Sequence, residues 1–199
     1  MAPLLLRLPG ELHNTIRALL SAVDIKNLRA TCSTLAKTFP LRFDRVFISA
    51  NSLNIEVFLA VANNEIFRHQ VTEIIWDDAP FRTGPNVEEE ERQGREPEDF
   101  TEYECPRWFQ KGCCDYVYRV PGRRVCLKES WAHYQALVND QIQVVSSNAD
   151  IEAFNYGLRR FTSLKRVTIT PSAHGKPRSP LYRTPMIRAF PAEFDYPLS

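Results

Sequence analysis

The chain has 199 residues, of which 25 are Lys or Arg, 24 are Asp or Glu, and 44% are hydrophobic. This length and composition predict one globular domain, or one domain with a small module, that can bury a substantial core. The near-zero net charge excludes a strongly basic nucleic-acid-binding protein, and the 7 glycines are too widely spaced for a phosphate-binding loop.

The N-terminus has no predicted targeting signal. Its short apolar run, residues 4–6, is ended by Arg7 and Pro9, so a signal peptide is not expected. No stretch approaches the ~20 apolar residues that cross a bilayer. The odd number of cysteines, 5, favours reduced thiols. We therefore expect a cytoplasmic protein, a nuclear protein, or one found in both compartments.

The first forty residues predict three short helices. Pro9 suits the first helical turn, where no N–H is needed, and apolar residues then recur on one face. Ser21 and Asp24 supply an N-cap and a first-turn acid for a second helix. Thr31 or Ser33 is expected to cap a break into a third helix. Helices this short cannot enclose the continuous apolar stripe alone, so another surface is expected to cover part of it.

From residue 45 the chain alternates between strand and helix patterns. Residues 45–49 and 71–76 are β-prone, and a helix is predicted between them, beginning at Asn51 or Asn54. The predicted buried face of that helix is Ile55, Phe58, Leu59, Ala62, Ile66 and Phe67. The spacing of apolar residues thus alternates between strand and helix patterns, which is typical of α/β folds.

The same order returns towards the C-terminus. Residues 129–145 predict one helix, residues 151–161 another, and residues 164–169 a strand that Pro171 ends. Strand–helix units at these spacings resemble leucine-rich repeats, whose period is about 20–29 residues. The predicted fold class is α/β (mixed), with a three-helix module followed by a short, irregular strand–helix solenoid.

An acidic segment interrupts this solenoid. Nine acids fall between Glu88 and Glu104, against Arg92 and Arg95. Because such a composition repels itself and buries little, residues 82–106 are expected to form a flexible insertion. Its aromatic residues leave open a short interaction motif, although a solvated loop is more usual for this composition.

The N-terminal segment resembles an F-box. The residues that carry the likeness are Leu8-Pro9-Gly10-Glu11-Leu12, Ile16, Leu19-Leu20, Asp24-Ile25, Asn27-Leu28-Arg29, Thr31-Cys32 and Leu35. Residues 41–49, 71–81, 166–171 and 184–191 are similar to fungal F-box proteins with degenerate leucine-rich repeats. The resemblance implies an F-box over residues 1–40 and a degenerate leucine-rich-repeat-like domain over residues 41–199.

An F-box implies a module that docks on the Skp adaptor of a cullin–RING ubiquitin ligase, while the following domain recruits the protein to be ubiquitinated. The resemblance assigns adaptor binding to Leu8, Pro9, Leu12, Ile16, Leu20, Ile25, Leu28 and Leu35. It implies a non-catalytic adaptor subunit without cofactor or metal. The expected partners are the Skp adaptor, through it the ligase, and an unidentified target protein, with neither nucleic acid nor membrane.

Two chemical sites compete with this interpretation. Zinc would need some of Cys105, Cys113, Cys114, Cys126 and His133, but their spacing lacks the usual C-x(2–4)-C pair, so scattered free thiols are favoured. Nucleophilic catalysis would need Cys113 or Cys114 beside His133, with Asp140 as the orienting acid. No local signature marks such a nucleophile. Scattered cysteine and histidine residues offer such triples by chance.

Two further patterns can be interpreted either as a functional site or as an ordinary structural feature. A basic patch with aromatic residues could bind nucleic acid. Its residues are the pairs Arg123–Arg124, Arg159–Arg160 and Lys165–Arg166, with Tyr156 and Phe161. The favoured interpretation is a solvated face or a counter-surface for the acidic segment. Asp77 and Asp78 resemble a carboxylate pair, but neighbours on a strand point to opposite faces. They are better explained as the end of a strand.

One alternative function comes from a different class. The F-box-like helices would then only cap the repeat domain of a non-ligase interaction scaffold. Exposure separates the two hypotheses: an accessible apolar patch at Leu8, Pro9, Leu12 and Ile25 favours a partner, whereas full burial favours a cap.

Overall fold

The computed structural model shows two compact units, Met1–Asp44 and Arg45–Ser199. It describes residues 4–83, 104–117, 126–171, 180–191 and 194, with side chains in the second range as far as residue 113. These residues form eight α-helices and a three-stranded parallel sheet, which is the predicted mixed α/β class. None of the described helices is long and apolar enough to cross a membrane.

The N-terminal unit is built from short helices. After a 3-10 turn at Leu4–Arg7, its helices are α1 (Gly10–Leu19), α2 (Ala22–Thr31) and α3 (Ser33–Thr38). Their shared core is Ile25, Leu35 and Phe39, with five partly buried residues packed against it: Leu5, Leu6, Ile16, Leu20 and Leu28. The unit therefore closes around a small, wholly apolar centre.

The helix boundaries of this unit agree with the predicted cap in one place and differ in another. Ser21 and Asp24 form a reciprocal capping box at the start of α2, so that prediction is confirmed. The break before α3 falls at Cys32, which makes no side-chain cap. Neither Thr31 nor Ser33 caps it, because the Thr31 hydroxyl donates instead to the Leu28 carbonyl, 2.7 Å away. The predicted cap at this break is therefore wrong.

The C-terminal unit alternates strands and helices. Its elements are β1 (Arg45–Ser49), α4 (Ser52–Asn63), β2 (Glu73–Asp77), α5 (Arg107–Val117), α6 (Leu127–Ser147), α7 (Ala149–Arg160), β3 (Arg166–Thr170) and α8 (Pro185–Arg188). The strands lie in the order β1-β2-β3, all parallel. The register places Arg45, Glu73 and Arg166 side by side. All three predicted strands are present, with the second and third beginning two residues later than expected.

The first long helix begins where the sequence predicts and ends earlier. Asn51 caps α4 by accepting the Asn54 N–H at 3.2 Å. The helix ends at Asn63 because the Asn64 side chain accepts the N–H groups of the next turn, those of Ile66 and Phe67, both at 3.0 Å. Ile66 is consequently exposed. Its place in the predicted buried face is wrong.

The predicted flexible insertion, residues 82–106, lies mostly outside the described residues, but its C-terminal end is packed. Cys105 is fully buried beside Phe109 of α5, in a cluster that includes Tyr134 of α6. Cys105 belongs to no helix or strand, but it is buried rather than solvated, because it packs against the apolar face of α5. Helix α5 itself was not predicted from the sequence.

Helices α4 and α7 approach each other at a glycine. A Cβ atom built on Gly157 would lie 2.5 Å from a ring atom of Phe58 and 2.9 Å from one of Phe161. The two rings meet edge to face, with centroids 5.3 Å apart. Only hydrogen at Gly157 allows this contact, which sets the spacing of the two helices beside the sheet.

Candidate docking surface

The eight residues assigned to adaptor binding separate into three groups. Ile25 is fully buried and Leu35 nearly so, both within the core of the N-terminal unit. Ile16, Leu20 and Leu28 are half-buried around that core. Leu8, Pro9 and Leu12 lie further out: Leu8 is half-buried, Pro9 is exposed and Leu12 is 48% exposed.

Helix α1 carries an apolar stripe that is open to solvent. Leu12 and Leu19 are seven residues apart, so they share a helix face, and Leu19 is 82% exposed. Half-buried Ile16 lies between them on the same face. We define the α1 surface as Leu8, Pro9, Leu12, Ile16 and Leu19. Neighbouring exposed apolar residues of this kind are a feature of protein-interaction sites.

Sequence reasoning did not include Leu19 among the adaptor-binding residues. Exposed Val23, on α2, was missed as well. The signal for Leu19 was available, because its spacing from Leu12 places both on one face. Burial, however, depends on how α1 turns against the core, which spacing alone does not specify.

Local contacts fix the start of α1 and with it the α1 surface. The His13 Nε2 atom lies 2.7 Å from the Leu5 carbonyl oxygen, which joins the 3-10 turn to α1. The same ring meets Phe39 edge to face, with centroids 5.5 Å apart. The Pro9 carbonyl accepts the N–H groups of Leu12 and His13 at 3.1 and 3.2 Å. Leu8 and Pro9 are therefore held in one orientation relative to the helix.

The start of α2 is held by its capping box. The Asp24 Oδ2 atom accepts the Ser21 hydroxyl at 2.6 Å and the Ser21 N–H at 3.1 Å. These two hydrogen bonds stabilise the carboxylate and lower the pKa of Asp24, although the group is fully exposed. The negative charge at a helix N-terminus is also favourable for the helix dipole.

The described cysteines do not form a metal site. Cys105 and Cys113 are buried in the aromatic cluster between α5 and α6, whereas Cys32 and Cys126 are exposed. None of these four forms a disulfide. In the part of the chain that the structure describes, no group of His, Cys, Asp and Glu could hold a metal ion. The side chain of Cys114 lies outside the described residues.

Of the candidate catalytic residues, His133 and Asp140 are held apart by separate contacts. The His133 ring lies edge to face against Phe194, with centroids 4.5 Å apart, and burial lowers the pKa of His133. Asp140 follows it on α6 by seven residues, about 10 Å along the axis. Its carboxylate caps α4 instead, accepting the Ser52 N–H at 2.9 Å and the Asn51 side-chain amide at 2.7 Å. Asp140 therefore has a structural role.

The aromatic residues of the candidate nucleic-acid patch are not available for stacking. Phe161 is buried in the core, and Arg160 lies over the Tyr156 ring, 4.7 Å from its centroid. Arg123 and Arg124 lie outside the described residues. Of the other cations, Arg159 and Lys165 are exposed beside the turn before β3, and the exposed Arg166 bonds to Glu73.

Asp77 and Asp78 differ in environment. Asp77 is the last residue of β2 and is buried, whereas Asp78 is exposed. Burial raises the pKa of Asp77 to about 6, against the hydrogen bond that it accepts from the Ala79 N–H at 3.1 Å and with help from the Asp78 charge. The strand ends at this pair as predicted.

Comparison with known proteins finds no match: no family model, no curated protein and no solved structure matches the chain.

Proposed function

We propose that this chain is a non-catalytic adaptor subunit that docks on the Skp adaptor of a cullin–RING ubiquitin ligase through its N-terminal helices and recruits a target protein through its C-terminal unit. The proposal places the protein in the cytoplasm, the nucleus or both. Its chemical contribution is proximity, because holding a target near the transfer machinery raises the effective concentration of the reacting groups.

The observation that carries the proposal is the α1 surface. Leu12 and Leu19 are exposed on one helix face, within a chain segment whose sequence resembles an F-box. Buried Ile25 and Leu35 are then structural, and the contact with the adaptor is made by Leu8, Pro9 and the exposed face of α1. Covering about two large aliphatic side chains supplies several kcal/mol of hydrophobic stabilisation.

The alternative function, a cap on an interaction scaffold, has one observation in its favour. Ile25, which the cap hypothesis requires to be buried, is 0% exposed. The residues that bury it, however, include Leu35 and Phe39 of the same helical unit. Burial of Ile25 is therefore accounted for by the N-terminal unit itself.

Co-expression with the Skp adaptor tests the proposal, with size exclusion and mass determination of the eluted peak. We expect a one-to-one complex with the wild-type chain. The double variant Leu12→Ser with Leu19→Ser is expected to lose the complex while keeping its helix content, because both side chains are already exposed. A stable complex from this double variant would contradict the proposed surface.

The matched control changes two exposed apolar residues on α6 instead, Ile142→Ser with Val145→Ser. It removes similar side chains outside the N-terminal unit and is expected to leave the complex intact. A wild-type chain that stays monomeric beside the Skp adaptor would overturn the adaptor proposal and favour the scaffold.

A further inference from the structure

Strand β3 forms one edge of the sheet, and its outward backbone groups can be identified. Among the described residues it pairs only with β2. The Arg166 N–H donates to the Thr72 carbonyl at 3.1 Å, and the Thr170 carbonyl accepts the Asp78 N–H at 3.0 Å. Because alternate residues of a parallel strand bond to opposite neighbours, Val167 and Ile169 direct their N–H and C=O groups away from β2.

The same edge carries exposed apolar side chains. Val167 is 39% and Ile169 is 67% exposed. On α7, Ile151 and Leu158 are also exposed, and their spacing of seven residues places them on one helix face. We define the open edge as Ile151, Leu158, Val167 and Ile169.

The two exposed residues of α7 lie on the side of that helix that points away from α4. Tyr156 donates its hydroxyl to the Asn63 side chain, so that face of α7 points towards α4. The rings of Phe154 and Trp76 of β2 meet edge to face, with centroids 4.8 Å apart. Helix α4 packs on β1. Leu158 follows Tyr156 by two residues, about 200° around the helix. It therefore points away from α4, and α7 lies on the face of the sheet that Trp76 shares with Val167 and Ile169.

Positive charge borders the open edge at the turn before β3. The turn is short, since the N–H of Phe161 bonds to the Gly157 carbonyl and that of Leu164 to the Phe161 carbonyl. Of its four cations, Arg160 lies over Tyr156 and Arg166 bonds to Glu73. The other two, Arg159 and Lys165, are exposed. No acidic residue occurs between Glu152 and the end of β3.

We propose that the open edge binds an extended, acidic segment of a partner protein, which adds to the sheet as a fourth strand beside β3. Outward N–H and C=O groups on an edge strand are satisfied by another strand. The apolar residues of the open edge supply contact area. Arg159 and Lys165 select acidic residues at the end of the segment that lies beside the turn.

A nucleic-acid strand fits these observations less well. Its phosphates would suit Arg159 and Lys165, but Phe161 is buried and Tyr156 is covered by Arg160, so no base-stacking platform accompanies them. The outward backbone groups of Val167 and Ile169 match a polypeptide strand in both spacing and chemistry.

The identity of the segment rests on the proposed function: in an adaptor, it belongs to the recruited target. Strand addition itself does not require the Skp adaptor. Peptide binding and Skp binding are therefore measured separately on each variant. A wild-type chain that forms the Skp complex but does not bind the peptide overturns the docking proposal alone, and a wild-type chain that binds the peptide but forms no Skp complex overturns the adaptor proposal alone.

The first test uses the full chain and a short fluorescein-labelled peptide that begins with glutamates and then alternates valine and threonine. Fluorescence anisotropy is expected to show saturable binding that weakens as salt is added. A peptide with lysines in place of the glutamates is expected to bind at least tenfold more weakly. Lys165→Glu is expected to weaken binding of the acidic peptide by about tenfold. The control Lys111→Glu, the same charge change on α5, is expected to leave it unchanged.

The second test addresses the backbone. Ile169→Pro removes an N–H that points away from β2, so the existing sheet keeps its hydrogen bonds. We expect this variant to fold, as judged by circular dichroism, and to lose peptide binding. Ile169→Thr keeps the N–H while removing apolar surface, and is expected to weaken binding only a few-fold.

Three results would overturn the proposal. Equal peptide binding by Ile169→Pro and wild type would show that strand pairing is not used. Competition by single-stranded oligouridylate, dependent on Lys165 and independent of Ile169→Pro, would assign the charge to nucleic acid. A concentration-dependent dimer that Ile169→Pro abolishes and the peptide does not displace would make a second copy of the chain the occupant.

Discussion

The two units of the molecule are organised in opposite ways. The N-terminal unit has a small apolar core, and its described buried residues are Ile25, Leu35 and Phe39. Every described buried polar residue lies in the C-terminal unit: Ser49, Asn51, Asn54, Glu73, Asp77, Ser130, Asp150 and Thr184. The C-terminal unit therefore specifies its fold partly through buried polar residues, whereas the described core of the N-terminal unit is wholly apolar.

A buried network shows what the C-terminal unit gains from polar residues. The fully buried Asn54 donates its amide to the Ser49 hydroxyl at 2.7 Å. Its amide oxygen accepts the Met186 N–H at 2.8 Å, which joins α4 to α8. A buried amide must satisfy both its donors and its acceptor, so it tolerates few alternative arrangements. The N-terminal unit has no described counterpart.

The largest predicted difference between the two units is at Gly157. Gly157→Ala should destabilise the C-terminal unit by about 3 kcal/mol, because the new methyl group overlaps the rings of Phe58 and Phe161. All three tryptophans, Trp76, Trp108 and Trp131, lie in this unit. Denaturant unfolding followed by tryptophan fluorescence therefore measures the loss directly.

Gly10→Ala is the matched control in the N-terminal unit. A Cβ at Gly10 would meet no atom within 4 Å, and alanine is the better helix former by roughly 0.5–1 kcal/mol. We expect a small stabilisation of helix content by circular dichroism and an unchanged tryptophan transition. If Gly157→Ala did not shift the tryptophan unfolding transition, the result would contradict the close contact between α4 and α7.

The second prediction concerns pH and Asp77. Its folded pKa, raised to about 6 from 3.8, favours the protonated carboxyl in the folded state. The stabilisation is complete below pH 4 and is lost as pH rises through 6, a change of roughly 3 kcal/mol. Asp77→Asn should therefore raise the free energy of unfolding at pH 7 by a similar amount, and by much less at pH 4.

Asp78→Asn is the control, since Asp78 neighbours Asp77 but is exposed. We expect Asp78→Asn to change the free energy of unfolding by less than about 0.5 kcal/mol at either pH. Unfolding curves of the three proteins at pH 4 and 7, followed through the adjacent Trp76, provide the measurement. A difference between Asp77→Asn and wild type that does not depend on pH would refute the raised pKa.

The sequence predicts local structure well and fails where distant residues decide the outcome. The Asn51 cap and the strand at Arg45–Ser49 follow from side-chain chemistry and β propensity over a few residues. The close contact at Gly157 depends on Phe58, 99 residues earlier in the chain, and no local pattern predicts it. Helix α5 was missed because the acidic segment before it dominates the composition.

The candidate surface shows the same division. Resemblance supplied eight residues, but the separation of buried Ile25 from exposed Leu12 required the packing of α1 against α2 and α3. The open edge was not predicted at all. Recognising an edge strand requires strand order, which depends on tertiary contacts rather than on the sequence of β3.

The third prediction tests the charges across the sheet. The nearly buried Glu73 carboxylate bonds to Arg166 at 2.8 Å, to Arg45 at 2.9 Å and to the Thr168 hydroxyl at 2.8 Å. The Arg166 hydrogen bond, with the Thr168 hydroxyl and the two positive charges, outweighs burial and lowers the pKa of Glu73. Glu73→Gln should cost about 2 kcal/mol at pH 7.

The pH dependence here has the opposite sign to that of Asp77. A lowered folded pKa gives stability that is present above the ordinary value of 4.5 and is lost as pH falls below it. The gap between wild type and Glu73→Gln should therefore close in acid. Glu65→Gln is the control: its contact with Arg68 is 3.6 Å long and solvent-exposed, so we expect a change under about 0.5 kcal/mol. An equal cost in both variants would contradict the prediction.

The smallest effect belongs to the N-terminal unit. Ser21→Ala removes the capping box of α2, because the Ser21 hydroxyl accepts the Asp24 N–H at 3.2 Å and donates to its carboxylate. We expect a loss of about 1 kcal/mol. Thermal unfolding followed by circular dichroism should show it, with the tryptophan transition unchanged. Ser33→Ala, at the start of the uncapped helix α3, is the control and should have little effect.

Since α2 supplies Ile25 to a core with few other buried residues, a loss of this size is a large share of what holds the three helices together. A Ser21→Ala variant that also formed less of the Skp complex would therefore connect the order of these helices to docking, whereas a tryptophan transition that moved with the cap would show that the two units do not unfold independently.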